Sequence, residues 1–249
     1  ESVTGMYLGD GEYSRDPAPP EIMRLGDRWE ASYDCARWFK ATVKIPPVPP
    51  GQELYFEADF GGEALVKING KITGAVSSGW VNRDRIFLDT FEAGETAEIE
   101  MEYTVDSGSF CDDAMDGAKS VLYTMNKARL VIADPVCEAY LFDTQIVWEA
   151  LANISDEYIK ARVFEALDES VHRVDFDFDD ARVRRSIAEA AEILREKLAK
   201  IPHTPQAQIY MTGHSHIDIA WLWRVQETQR KAARTFSNNL ALMDRYPDF

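Results

Sequence analysis

The period of the apolar positions changes along the chain, and each change marks a different kind of element. Up to about residue 137, short runs alternate polar and apolar side chains and are rich in aromatic and β-branched residues. Examples are "RWFKATVKIPPV" (37–48), "ELYFEADFG" (53–61), "RIFLDT" (85–90) and "AEIEMEYTV" (97–105). Pro and Gly bound these runs, which predicts strands. In "ALVKINGKITG" (64–74), Asn69-Gly70 separates two alternating runs. A two-residue type I′ turn needs φ > 0 at both central positions, so this segment predicts a hairpin. "SVLYTMNKARLVIAD" (120–134) supplies one or two further strands. Many short strands with no long helix between them predict an antiparallel β-sandwich of jelly-roll type.

From about residue 138 to 204 helix formers dominate, predicting a helical linker. "DDARVRRSIAEAAEILREKLAKI" (179–201) opens on Asp179 and Asp180, suited to an N-cap and first turn, and carries Lys197 and Lys200 near its end. Val183, Ile187, Ala190, Ile193, Leu194 and Leu198 form one apolar stripe at three- and four-residue spacing, the packing face of an amphipathic helix. After the breaker "IPHTPQ" comes "AQIYMTG" (207–213), read as a short apolar strand, then a polar motif and a final helical pattern. Strand, turn and helix make one βα unit of a parallel α/β domain, here residues 205–249. A parallel strand needs partners on both edges. The segment is therefore expected either to join an unexpected neighbour or to open a domain that continues beyond this chain.

Composition narrows the function classes. The 249 residues include 45% hydrophobic and 28% charged side chains, as in a globular protein with a real core. A net charge of −16, from 27 basic and 43 acidic residues, argues against binding nucleic acid or an anionic membrane. Cys35, Cys111 and Cys137 are odd in number and show no CxxC or disulfide framework. With no signal-peptide pattern at the first residues and no apolar run of membrane-spanning length, a cytoplasmic location is expected.

The candidate chemistry sits in "YMTGHSHIDIAWLW" (210–223). On a strand, His214, His216 and Asp218 share one parity and would project together. Two imidazoles and a carboxylate suit a borderline divalent ion such as Zn²⁺, and the alternative is a buried strand whose histidines bond to backbone or to each other. Trp221 and Trp223 behind them could pack the helix start or offer an indole to the apolar face of a sugar ring.

The segment "GHSHIDIAWLWRVQETQRKAARTFSNNLALMDRYPDF" resembles the opening of the catalytic domain of glycoside hydrolase family 38, in the cytosolic and vacuolar branch of the class II α-mannosidases. Glu227-Thr228, Arg230-Lys231, Ala233-Arg234 and Tyr246-Pro247-Asp248-Phe249 match that branch's pattern. Arg224 stands where many relatives have Pro, and Ile219 where many have Ser or Thr. The β region with "FGGEALVKINGKITG" is similar to the branch's N-terminal domain. The resemblance implies an antiparallel β-sandwich, a helical linker and the first βα unit of an α/β barrel catalytic domain. It implies a metal-dependent retaining hydrolase of terminal α-mannosides, with Zn²⁺ or another divalent cation as cofactor. It assigns His216 and Asp218 as metal ligands, leaves His214 outside the direct ligand set, and places Trp221 against the reacting mannose. The nucleophile and the acid/base are expected downstream of Phe249, so no catalytic residue is assigned within the segment. The expected partner is a mannose-containing oligosaccharide or mannoside, with homo-oligomerisation implied by relatives that associate.

A different class, a non-catalytic carbohydrate-binding or scaffold module, would use aromatics such as Trp38, Tyr55 and Trp80, which otherwise read as core. A metal-dependent amidohydrolase also begins with HxH at a strand end. That class takes its aspartate from a much later strand and leaves "AWLW" and "YPDF" unexplained.

Overall fold

The computed structural model describes residues 2–9, 12–15, 20–31, 35–78, 83–105, 121–202, 210–219, 221, 223 and 225–247. Contacts divide the chain into two units, one drawn from residues 1–49, 54–132 and 212–249 and the other from 50–53 and 133–211.

Among the described residues, the first unit is built on the strands β1 (Ser2–Gly9), β2 (Glu12–Arg15), β3 (Arg28–Ala31), β4 (Cys35–Lys44), β5 (Glu53–Asp59), β6 (Glu63–Ile68), β7 (Lys71–Ser77), β8 (Arg85–Phe87), β9 (Thr96–Thr104), β10 (Val121–Thr124) and β11 (Lys127–Ala133). A six-stranded sheet runs in the order β2-β1-β4-β9-β6-β7, beside a three-stranded sheet β11-β5-β8 and a two-stranded pair β10-β3. Alternation decides which side chains go inward. Along β9, Ala97, Ile99, Met101 and Tyr103 are buried in the core, while Glu98, Glu100 and Glu102 point the other way. Phe39, Val66 and Val76 from the same sheet meet Leu54, Phe56 and Ile86 from the smaller one, and Trp29 closes the core from β3. Trp29 packs edge-on against Phe39 and Tyr103, and its indole N–H donates to the Phe60 carbonyl at 2.7 Å. Burial pushes the Tyr103 phenol far above its ordinary range.

The predicted hairpin forms as the sequence requires. Ile68 pairs with Lys71, and Asn69 and Gly70 both take positive φ, 49° and 78°. Trp38 and Tyr55, each 4% exposed, are buried as expected of structural aromatics; Trp80 and Cys111 lie outside the described residues.

Among its described residues, the second unit holds the helices α1 (Pro135–Leu151), α2 (Glu157–His172) and α3 (Asp180–Ala199). Asp134, Asp156 and Asp179 cap them, each accepting from backbone N–H groups of the first turn. The predicted stripe of α3 packs as a core face, with Ala190 and Leu194 buried beside Ile187 and Leu198. The buried Ser170 hydroxyl is satisfied between Tyr140 Oη and the Ala190 carbonyl, both at 2.8 Å. Among the described residues, no helix is long and apolar enough to cross a membrane.

The strand expected just before the polar motif is not formed where it can be followed. Residues 210–218 carry no regular structure, and 207–209 lie outside the described residues. A strand of that kind needs partners on both edges, and no strand pairs with 210–218 among the described residues. The final helix does form, as α4 (Val225–Arg245), within the same unit as the sandwich.

Candidate metal centre

α4 brings two adjacent stripes of side chains to bear. Successive residues on a helix are about 100° apart, and residues spaced three, four, seven or eleven share a face. Glu227, Arg230, Lys231, Arg234 and Asn238 form one stripe, facing the outer side of the six-stranded sheet. Arg230 Nε donates to Glu102 Oε1 at 3.0 Å, and Lys231 Nζ reaches both oxygens of Glu63 at 3.2 and 3.3 Å. Arg234 lies 3.2 Å from Glu63 and also pairs with Glu227. Asn238 Oδ1 accepts from the Ala75 amide of β7 at 2.8 Å. Three carboxylates thus face three cations in a largely buried layer. Burial lowers the Lys231 pKa despite the pull of Glu63. For Arg234, Glu227 and Glu63 outweigh the opposing effect of burial and raise the pKa.

Thr228 and Asn239, eleven residues apart, form the neighbouring stripe and hold the motif loop. Thr228 Oγ1 points its proton at the carbonyls of Ile219 and, at 3.4 Å, Asp218. The same oxygen accepts from the Trp223 indole N–H at 3.2 Å. Asn239 Nδ2 donates to Ser215 Oγ at 2.5 Å. Lys231 Nζ sits 4.5 Å from the centre of the Trp223 ring, a cation–π contact linking both stripes.

Held in this way, the loop presents His216 and Asp218 together. His216 Nε2 lies 3.3 Å from Asp218 Oδ1, and both side chains are open to solvent, 74% and 43%. The His214 ring lies beyond, its centre 6.3 Å from that of His216 and inclined by 17°. Trp221 is 53% exposed and meets Trp223 edge-on at 5.4 Å. Zinc binds imidazole nitrogen and carboxylate oxygen at about 2.0–2.1 Å, which at a tetrahedral angle sets two donors about 3.3 Å apart. The His216–Asp218 spacing fits one edge of such a site. Two donors are half of a four-coordinate set, and among the described residues no group of three His, Cys, Asp or Glu side chains is placed to share an ion.

Sequence reasoning singled out the three polar residues of the motif and missed what supports them. The signal for the support was present: Glu227, Arg230, Lys231 and Arg234 put charge at the spacing where an ordinary docking helix is apolar.

The "Glycosyl hydrolases family 38 N-terminal domain" model matches residues 206–249, and the "Alpha-mannosidase, jelly roll domain" model matches residues 17–131. Alpha-mannosidase G of Dictyostelium discoideum is 23% identical over 225 residues, covering 85% of this chain and 20% of its own length. The alpha-mannosidase of Saccharomyces cerevisiae is 26% identical over 253 residues, with 90% and 21% covered. Alpha-mannosidase 2C1 of Homo sapiens is 25% identical over 246 residues, with 94% and 22% covered. The chain spans about a fifth of the length of these curated relatives. In that order, and aligned across most of the chain, a jelly roll followed by the opening of the glycosidase domain makes this chain similar throughout to the alpha-mannosidases of glycosyl hydrolase family 38.

Proposed function

We propose that these residues form the front of a metal-dependent, retaining α-mannosidase and contribute two ligands, His216 and Asp218, to its zinc site. The observation that carries the reading is the 3.3 Å approach of His216 Nε2 to Asp218 Oδ1 inside the segment that matches the glycosidase model. A zinc ion bound there supplies positive charge that orients sugar hydroxyls and favours the oxocarbenium-like transition state. His216 offers its Nε2 and Asp218 a carboxylate oxygen. Trp221 offers an open indole face to the apolar side of the mannose ring. Thr228 holds the loop carbonyls so that the two donors keep their spacing. The nucleophile and the acid/base, about 5–5.5 Å apart in retaining enzymes, are carried by residues beyond Phe249. The substrate class is a terminal α-mannoside, and the scattered cysteines favour the cytoplasm. With Trp38 and Tyr55 buried, the carbohydrate-binding alternative has no platform at those two positions.

The test uses the 249-residue chain and calorimetry with ZnCl₂. Weak binding is expected, because two protein ligands are half a usual site, and Asp218→Asn or His216→Ala should remove it. The chain alone should not turn over an aryl α-mannoside. Zinc binding untouched by both substitutions, or turnover by these residues alone, would refute the reading.

A further inference from the structure

We infer that Glu63 and Glu102 of the jelly roll are positioning residues for the His216–Asp218 loop, acting through α4. The inference takes its functional meaning from the proposed metal site, while its structural core stands without it.

The sheet-facing stripe of α4 is pinned by directional contacts in a buried layer. Glu63 receives Lys231 and Arg234, and Glu102 receives Arg230 on one oxygen and the Trp38 indole on the other at 3.3 Å. Lys231 is 7% and Arg234 5% exposed. An apolar seam would let a helix slide or roll; buried charges hold it in the register that pairs them. The loop hangs from the next stripe through Thr228 and Asn239. A roll of about 20° would carry an atom about 5 Å from the helix axis by nearly 2 Å, enough to break those hydrogen bonds. The lattice of contacts therefore runs from two sandwich carboxylates, across one helix, to the backbone of Asp218. Glu100 pairs with Lys40 and Lys67.

Hydrogen exchange on the full chain, with zinc titrations on the same samples, tests this. Glu63→Gln keeps the side chain's shape and removes its charge, and Thr228→Val cuts the loop-side link directly. Glu100→Gln breaks ion pairs on the same face and serves as the control. For Glu63→Gln and Thr228→Val, peptides covering 214–221 should exchange about tenfold faster while β4 and β9 peptides keep their protection. Glu100→Gln should leave the loop unchanged. Zinc affinity should fall about 10- to 100-fold with loop exchange, as when a metal ligand loses its supporting partner. Loop exchange unchanged by Glu63→Gln, or raised equally by Glu100→Gln, overturns the inference. If the unsubstituted chain binds no zinc, the metal reading fails, and loop exchange still decides whether the jelly roll positions the loop.

Discussion

Gly62 and Gly70 share a positive φ and differ in surroundings, which allows a steric contact to be weighed separately from conformational strain. Gly62 has φ of 70° and Gly70 of 78°. Alanine in the left-handed region costs about 1–2 kcal/mol, partly offset by the ~0.4–1 kcal/mol gained when the unfolded chain loses freedom. Gly70→Ala should therefore destabilise by about 0.5–1 kcal/mol, since a Cβ there meets nothing within 4 Å. At Gly62 the Cβ would lie 2.2 Å from the Thr104 carbonyl oxygen. That oxygen belongs to β9, which pairs with both β4 and β6 and has no freedom to swing aside. Overpacking of this kind adds about 1–3 kcal/mol, so Gly62→Ala should cost roughly 1.5–4 kcal/mol in total. Urea unfolding of the two variants with a common m-value would measure the difference. A gap below about 0.5 kcal/mol between them would show that the contact with the Thr104 carbonyl carries no energy.

Two further perturbations probe other parts of the structure. Hydrogen bonding to Asp84 at 2.6 Å, with the charges of Asp84 and Glu57, raises the Lys127 pKa above its ordinary 10.5. A raised lysine pKa adds stability that is complete below 10.5 and is lost as pH climbs through the folded value. The melting temperature should therefore fall more steeply above pH ~10.5 in the unsubstituted chain than in Lys127→Met; parallel curves would contradict the assignment. In the helical unit, Leu194 is 1% exposed, and Leu194→Ala should cost about 2–5 kcal/mol by urea unfolding followed by far-UV circular dichroism. A loss under about 1 kcal/mol would mean the α3 stripe is not a packed face.

What could be read in the sequence was local. The Asn69-Gly70 turn, the Asp179 cap and the α3 stripe each depend on neighbours within a few residues, and each formed as expected. The order β2-β1-β4-β9-β6-β7 joins strands far apart in the chain, and alternation alone carries no pairing information. The motif was legible as chemistry but not as geometry. A strand was expected to align its three polar residues, whereas the described loop brings His216 to Asp218 with no strand and leaves His214 stacked to one side. The partners of α4 lie over a hundred residues upstream, in Glu63 and Glu102, and only the fold brings them within reach.

The Asn238–Ala75 contact has a consequence for solubility. Among the described residues β7 ends its sheet, bridged at Ser77 to Arg83, and an edge strand with free amides and carbonyls is a template for pairing with another molecule. The amide of Ala75 is already occupied by a helix side chain, and α4 lies along this border. Removing residues 212–249 would uncover the border, and the shortened protein should be prone to strand exchange and fibrous aggregation.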